Sequence, residues 1–125
     1  MNSVSDATTL TRTSEGLEGN RTTVSIIIPL YNDAATIAAC LEAILAQDYP
    51  ADNREIIVVD NGSTDGSDPI VQRYPVRLLY ERDVLTSYAA RNRGIRAAQG
   101  EILLFTDGDC LPQAGWLSSL VRAFD

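Results

Sequence analysis

The sequence predicts an α/β domain: a mainly parallel sheet with helices on both faces. Three observations carry this. β-Branched runs alternate four times with segments of helical periodicity, the runs are apolar at nearly every position, and each ends in a polar or Gly-marked turn. Uninterrupted apolar strands belong to sheets covered on both sides, and right-handed strand–helix–strand crossovers make such sheets parallel.

Residues 1–22 are rich in Ser, Thr, Asn, Gly and charge, with Val4, Leu10 and Leu17 as isolated aliphatics. So little apolar surface cannot offset the ordering entropy, and a flexible tail is expected ahead of a domain over 23–125. Val24-Ser25-Ile26-Ile27-Ile28 reads as the first buried strand, stopped by Pro29. Asp33 is placed to cap a helix carrying Ile37, Leu41, Ile44 and Leu45 as far as Tyr49-Pro50. Glu55 to Val59 is the second strand, closed by Asp60-Asn61-Gly62, and a shorter helix is expected over 67–74 with Pro69 in its first turn. Val76 to Tyr80 is the third strand. Leu85, Tyr88, Asn92 and Ile95 then recur at helical spacing up to Gly100. Glu101 to Phe105 is the fourth strand, and 112–124 a closing helix with Trp116, Leu117, Leu120, Val121 and Phe124.

Composition removes several chemistries. The chain has 125 residues, 45% apolar and 22% charged, which suits one globular domain. Its apolar runs fall far short of the roughly 20 residues that cross a bilayer, and no basic segment followed by an apolar stretch opens the chain, so no secretory signal is expected. A net charge of -7 argues against nucleic acid or an anionic membrane recognised by bulk charge. There is no histidine, which excludes Ser-His and Cys-His pairs, and no lysine, which excludes a Walker A loop and Schiff-base chemistry. Cys40 and Cys110 show no metal-type spacing and read as reduced thiols. Asn20-Arg21-Thr22 and Asn61-Gly62-Ser63 match the glycosylation sequon, a pattern common by chance.

In a parallel sheet the ligand crevice lies beyond the carboxyl ends of the strands. Residues 29–32, 60–65 and 107–109 are therefore expected at one edge. Asp107-Gly108-Asp109 sets two carboxylates on the same side of an extended segment, where they repel unless a cation or proton lies between them. Hard oxygen ligands suit Mn2+ or Mg2+, and the glycine would let a phosphate approach; an inert solvated turn is the competing reading. Asp60 is either an acceptor towards a bound base or sugar, or part of a Gly-rich turn. A calcium loop over 61–72 is rejected, because its twelfth position is Gln72 and no helix precedes it. Asn92 is a core tie or a ligand contact, and Arg91 or Arg93 can offer a fork to a diphosphate. Tyr31 and Trp116 are packing or stacking residues, with spacing favouring packing for Trp116.

Four segments together resemble family 2 glycosyltransferases of the GT-A fold. They are Val24 to Asn32, Val58 to Asp65 (usually with Asp where Asn61 stands), Ala90-Arg91-Asn92-Arg93-Gly94 with Ala97, Ala98 and Gly100, and the run from Glu101 into the DXD motif at Asp107 and Asp109. The resemblance implies that Pro29, Tyr31 and Asp60 surround the base and ribose of a nucleotide-diphospho-sugar, UDP-sugar favoured. It implies that Asp107 and Asp109 hold the ribose and a Mn2+- or Mg2+-bound diphosphate, Asp109 the more direct ligand. The family precedent is an inverting displacement on an acceptor that the sequence does not identify. The family's general base and acceptor half follow the DXD strand, so residues 23–125 are expected to be the donor-binding half and to be inactive alone. A cytoplasmic location is expected, with membrane association of a full-length protein allowed. Two rivals differ in class: a non-catalytic nucleotide-sugar-binding module, and a phosphohydrolase with an aspartyl nucleophile, whose motif would normally sit on the first strand rather than the fourth.

Overall fold

The computed structural model describes residues 22–124; the tail expected over 1–22 lies outside them but for Thr22. Four strands and four helices alternate: β1 Val24–Leu30, α1 Ile37–Leu45, β2 Arg54–Asp60, α2 Ser67–Val71, β3 Arg77–Tyr80, α3 Ser87–Ala97, β4 Ile102–Phe105 and α4 Trp116–Arg122. A single 3-10 turn, Ala51–Asn53, leads into β2. The strands pair in the order β3-β2-β1-β4, all parallel.

The two faces are covered differently. Ile26, Ile28, Leu30, Ile56, Val58 and Leu104 pack beneath α1, α2 and α4, together with Ile37, Leu41, Ile44, Val71, Leu117 and Val121. The opposite face, with Ile57 and Val59, meets Ala90 of α3, and Ala97 and Ala98 pack at its margin. Small residues let α3 lie close: a Cβ at Gly94 would stand 2.6 Å from Ile27 Cγ2. The α3 stripe expected to face the core is thus the outer one. Leu85 and Tyr88 are 63% and 71% exposed and Ile95 is exposed too, because the apolar periodicity of that segment tracks its solvent side. Asn92 is half-buried on that outer side, and its side chain makes no hydrogen bond to the described residues.

Element ends also differ from the periodic pattern. β1 does not stop at Pro29 but continues to Leu30, pairing Pro29 with Val59. Along β1 the odd residues turn their peptide groups towards β4 (Thr106 N–H to Ile27 O, 3.2 Å) and the even ones towards β2 (Asn61 N–H to Leu30 O, 2.8 Å). Pairing with β4 has ended at Ile27, so the missing N–H of Pro29 breaks no ladder bond. Helix α1 ends at Leu45 rather than at Tyr49-Pro50, and the buried Gln47 takes over: its Nε2 donates to Gln113 O (2.9 Å) and its Oε1 accepts from Leu117 N–H (3.0 Å), tying α1 to the start of α4. Trp116 packs against the core formed with α1.

Candidate functional site

The register brings the expected residues to one edge. Asp60 ends β2 opposite Leu30 of β1. Ile27 pairs with Phe105, so extending that register sets Asp107 level with Pro29, two strand spacings, about 10 Å, from β2. The segment after β1 runs between them.

That segment is knitted to the loop after β2. Asn32, in the left-handed region at φ 50, donates its N–H to Ser63 Oγ (2.9 Å) and accepts from Thr64 N–H at Oδ1 (2.8 Å). Asp33 N–H donates to Ser67 Oγ (2.9 Å), and Ala34 N–H to Asp65 Oδ2 (3.0 Å). Asp65 Oδ1 also accepts from the N–H of Ser67 (3.0 Å), the first residue of α2, whose N-cap is Gly66. Asp33, by contrast, is not a side-chain cap. Its carbonyl accepts from Thr36 and Ile37 N–H (3.0 and 2.9 Å), Thr36 is the N-cap of α1, and the Asp33 carboxylate turns to the loop after β4. Gly108 is buried, and a Cβ there would lie 2.7 Å from Asp33 Oδ2, so any larger residue would make the Asp33 carboxylate shift. Burial raises the pKa of Asp33 above the ordinary aspartate value; the Tyr31 N–H opposes this, and the carboxylates of Asp109, Asp65 and Asp107 add to it.

Asp60 is the sharpest feature. It is 1% exposed, and its Oδ1 is buried with no hydrogen-bond partner among the described residues. A buried acceptor left unpaired costs about 1–3 kcal/mol, more when charged, and marks a place where a donor is missing. Next to it Asn61, also buried, donates through Nδ2 to Glu81 O (2.8 Å) and Val84 O (3.1 Å). An aspartate could not make either bond, which gives Asn61 a structural reason here and leaves its amide nitrogen inaccessible to glycosylation. The 81–86 loop held in this way lays Leu85 over Gly62.

At the other end, Asp107, Asp109 and Cys110 are exposed and offer ligand atoms all within 4.8 Å of one another. Two hard carboxylates in that space fit Mn2+ or Mg2+, and the crowding felt at Asp33 is the repulsion a cation would relieve. Tyr31 is 59% exposed, which removes the packing reading; its N–H donates to Asp33 Oδ2 (3.3 Å). Pro29 lies buried within β1. Arg91 is half-buried on α3, and its side chain forms no hydrogen bond or ion pair with the described residues. A groove of about 470 Å³ lies at the opposite edge of the sheet, around Arg54 and Arg77. Both arginines are committed: Arg54 donates to the last carbonyls of α1, and Arg77 pairs with Glu55 at 3.5 Å.

A parallel sheet with an unsatisfied carboxylate at one strand end and a carboxylate pair two strands away defines an α/β domain of the nucleotide-binding type. The comparisons with known proteins are specific. The profile of Glycosyl transferase family 2 matches residues 25–125, and the chain belongs to that family. It is 46% identical over 99 residues to the glycosyltransferase AglE of Haloferax volcanii, covering 75% of this chain and 33% of that one. The mannosyltransferase PcManGT of Pyrobaculum calidifontis, solved with GDP-Man and Mn2+, superposes with a TM-score of 0.77 at 38% identity, over 83% of this chain and 32% of that one. TarS of Staphylococcus aureus, solved with UDP-GlcNAc, gives 0.70 at 32% identity, over 82% of this chain and 30% of that one. These neighbours share the GT-A fold. The chain spans about a third of the length of these relatives.

Proposed function

We propose that this chain binds the donor of a glycosyl transfer, a nucleotide-diphospho-sugar, with a divalent cation. The buried unpaired Oδ1 of Asp60 carries the reading. Uracil and guanine both present ring N–H groups that a carboxylate accepts, and the relatives solved with UDP-GlcNAc and GDP-Man use one base each. Asp60 takes the base, Tyr31 and Pro29 border it, and Asp107 and Asp109 hold the cation and diphosphate, Asp109 more directly. Arg91, on α3, offers its guanidinium fork to the diphosphate.

The cation, when bound, supplies Lewis acidity that neutralises charge on the departing nucleoside diphosphate. The chain's own residues orient: Asp60 fixes the base, the Asn32–Ser63 and Asp33–Ser67 bonds fix the loops between base and phosphates, and Gly62 leaves room beside Leu85. An inverting displacement onto an acceptor hydroxyl is the reaction this arrangement serves. Relatives about three times longer supply the rest of their own chains, and no residue of this chain is assigned as the base.

A thermal-shift panel tests the reading: UDP, GDP, ADP and their sugars, each with Mn2+, with Mg2+ and with chelator. A rise in melting temperature is expected for uridine or guanosine diphosphates in the presence of metal. No shift with any nucleotide would overturn it, and a shift with generic phosphate esters alone would favour a phosphohydrolase.

A further inference from the structure

Helix α1 carries a Thr at its N-cap that does not cap the helix. Thr36 accepts no hydrogen bond from the first turn of α1, although its residue type is suited to that task. Its hydroxyl donates instead to Gly108 O, 3.0 Å away and 72 residues later in the chain. One turn further, the buried Cys40 points its Sγ at Asp107 O, 3.6 Å away. Residues four apart share a helix face. One face of α1 therefore grips two successive carbonyls inside the Asp107-Gly108-Asp109 turn.

The turn needs an outside hold. Pairing of β4 with β1 ends at Phe105, followed by a single bond from Thr106 N–H to Ile27 O. Within the turn the one backbone bond is Cys110 N–H to Asp107 O (3.0 Å). Two carboxylates carried on so short a segment drive each other apart.

We propose that Thr36 and Cys40 are positioning residues for the cation, holding the Asp107-Gly108-Asp109 turn so that both carboxylates face one ion before it arrives. The proposal rests on the reading of that turn as the metal site. Neither residue touches the ion. They act through the backbone to which the ligands are attached, as groups around a metal site commonly do.

The test titrates Mn2+ into the 125-residue chain and follows the free-ion signal by electron paramagnetic resonance, without nucleotide. Thr36→Val keeps shape and loses the donor; Thr36→Ser keeps the donor. Thr36→Val should weaken Mn2+ binding about tenfold and Thr36→Ser less than about twofold. Amide hydrogen exchange at Cys110 should quicken in metal-free Thr36→Val and stay slow in Thr36→Ser. Cys40→Ala and Cys40→Ser form a second pair with the same expected contrast, which decides the matter should Thr36→Val not fold. Wild-type affinity in Thr36→Val or Cys40→Ala would overturn the role of that residue while leaving the metal site standing. Equal weakening in both members of a pair would assign the effect to packing and overturn the hydrogen bond. A wild-type chain that binds no Mn2+ would overturn this inference and the metal reading together.

Discussion

Asp60 and Asn61 are neighbours with opposite duties. Asp60 holds a buried oxygen that nothing in the described chain satisfies, whereas the side-chain amide of Asn61 donates to two carbonyls of the 81–86 loop. Asp60→Ala should therefore leave the fold intact and raise its melting temperature, since it removes a desolvation penalty of about 1–3 kcal/mol. The same variant should weaken nucleoside diphosphate binding about tenfold or more, from loss of a charged hydrogen bond. Loss of folding, seen as a collapsed far-UV spectrum, would make Asp60 structural. Asn61→Asp should do the reverse: a carboxylate facing two carbonyls destabilises by about 1–3 kcal/mol, read as a lower denaturation midpoint. The sequence singled out Asp60, Asp107 and Asp109 because strand ends in a parallel sheet are legible from pattern. It misread Asp33 as a side-chain cap, and it was silent on the contacts of Thr36 and Cys40, whose partners lie 72 and 67 residues away. A local rule sees a polar residue ahead of a helix and reads a cap, and it has no access to a turn brought alongside by the sheet.

Among the elements, α3 shows where periodicity misleads. Its buried side is Ala90 and Gly94, and its apolar side chains face out. A hydrophobic stripe normally marks the packed face, but a helix lying tight on a sheet needs small residues there, and small residues carry little hydrophobic signal. Gly94→Ala should cost about 1–3 kcal/mol in a denaturant titration, because the added methyl meets Ile27 at 2.6 Å and α3 must lift. The turn from α3 into β4 is fastened at the other end of the sheet. Burial alone would raise the Glu55 pKa, but the Ser25 hydroxyl, the Gln99 N–H and the Arg77 guanidinium outweigh it and hold the group below the ordinary glutamate value. A depressed folded-state pKa gives stability that is present above the unfolded value and is lost as pH falls through the folded one. Melting temperature should thus decline on acidification through the carboxylate range, and Glu55→Gln should make that decline shallower. An unchanged acid limb in Glu55→Gln would show that the contacts of Glu55 do not contribute. Strand and helix existence was legible throughout. The ends were not: Pro29 sits inside β1 only because β4 is short, a fact about a neighbouring strand.

For the whole molecule, the sheet acts as a ruler. The order β3-β2-β1-β4 sets a buried, unpaired carboxylate oxygen and a carboxylate pair on either side of β1, with the β1–α1 loop bonded to the loop after β2 and contacting the turn after β4. A nucleoside diphosphate has the same layout, a ring donor at one end and charge at the other. Its affinity should then depend on both ends at once, and the charge end should be silent without a cation, because a net charge of -7 and a local carboxylate pair repel a bare diphosphate. The most direct measurement is a calorimetric titration of UDP and GDP into the 125-residue chain with Mn2+ and, separately, with excess chelator. Binding of at least one of them in Mn2+, weakened about tenfold or more by chelator, is the predicted result. Equal affinity in the two buffers, or no binding in either, would contradict it.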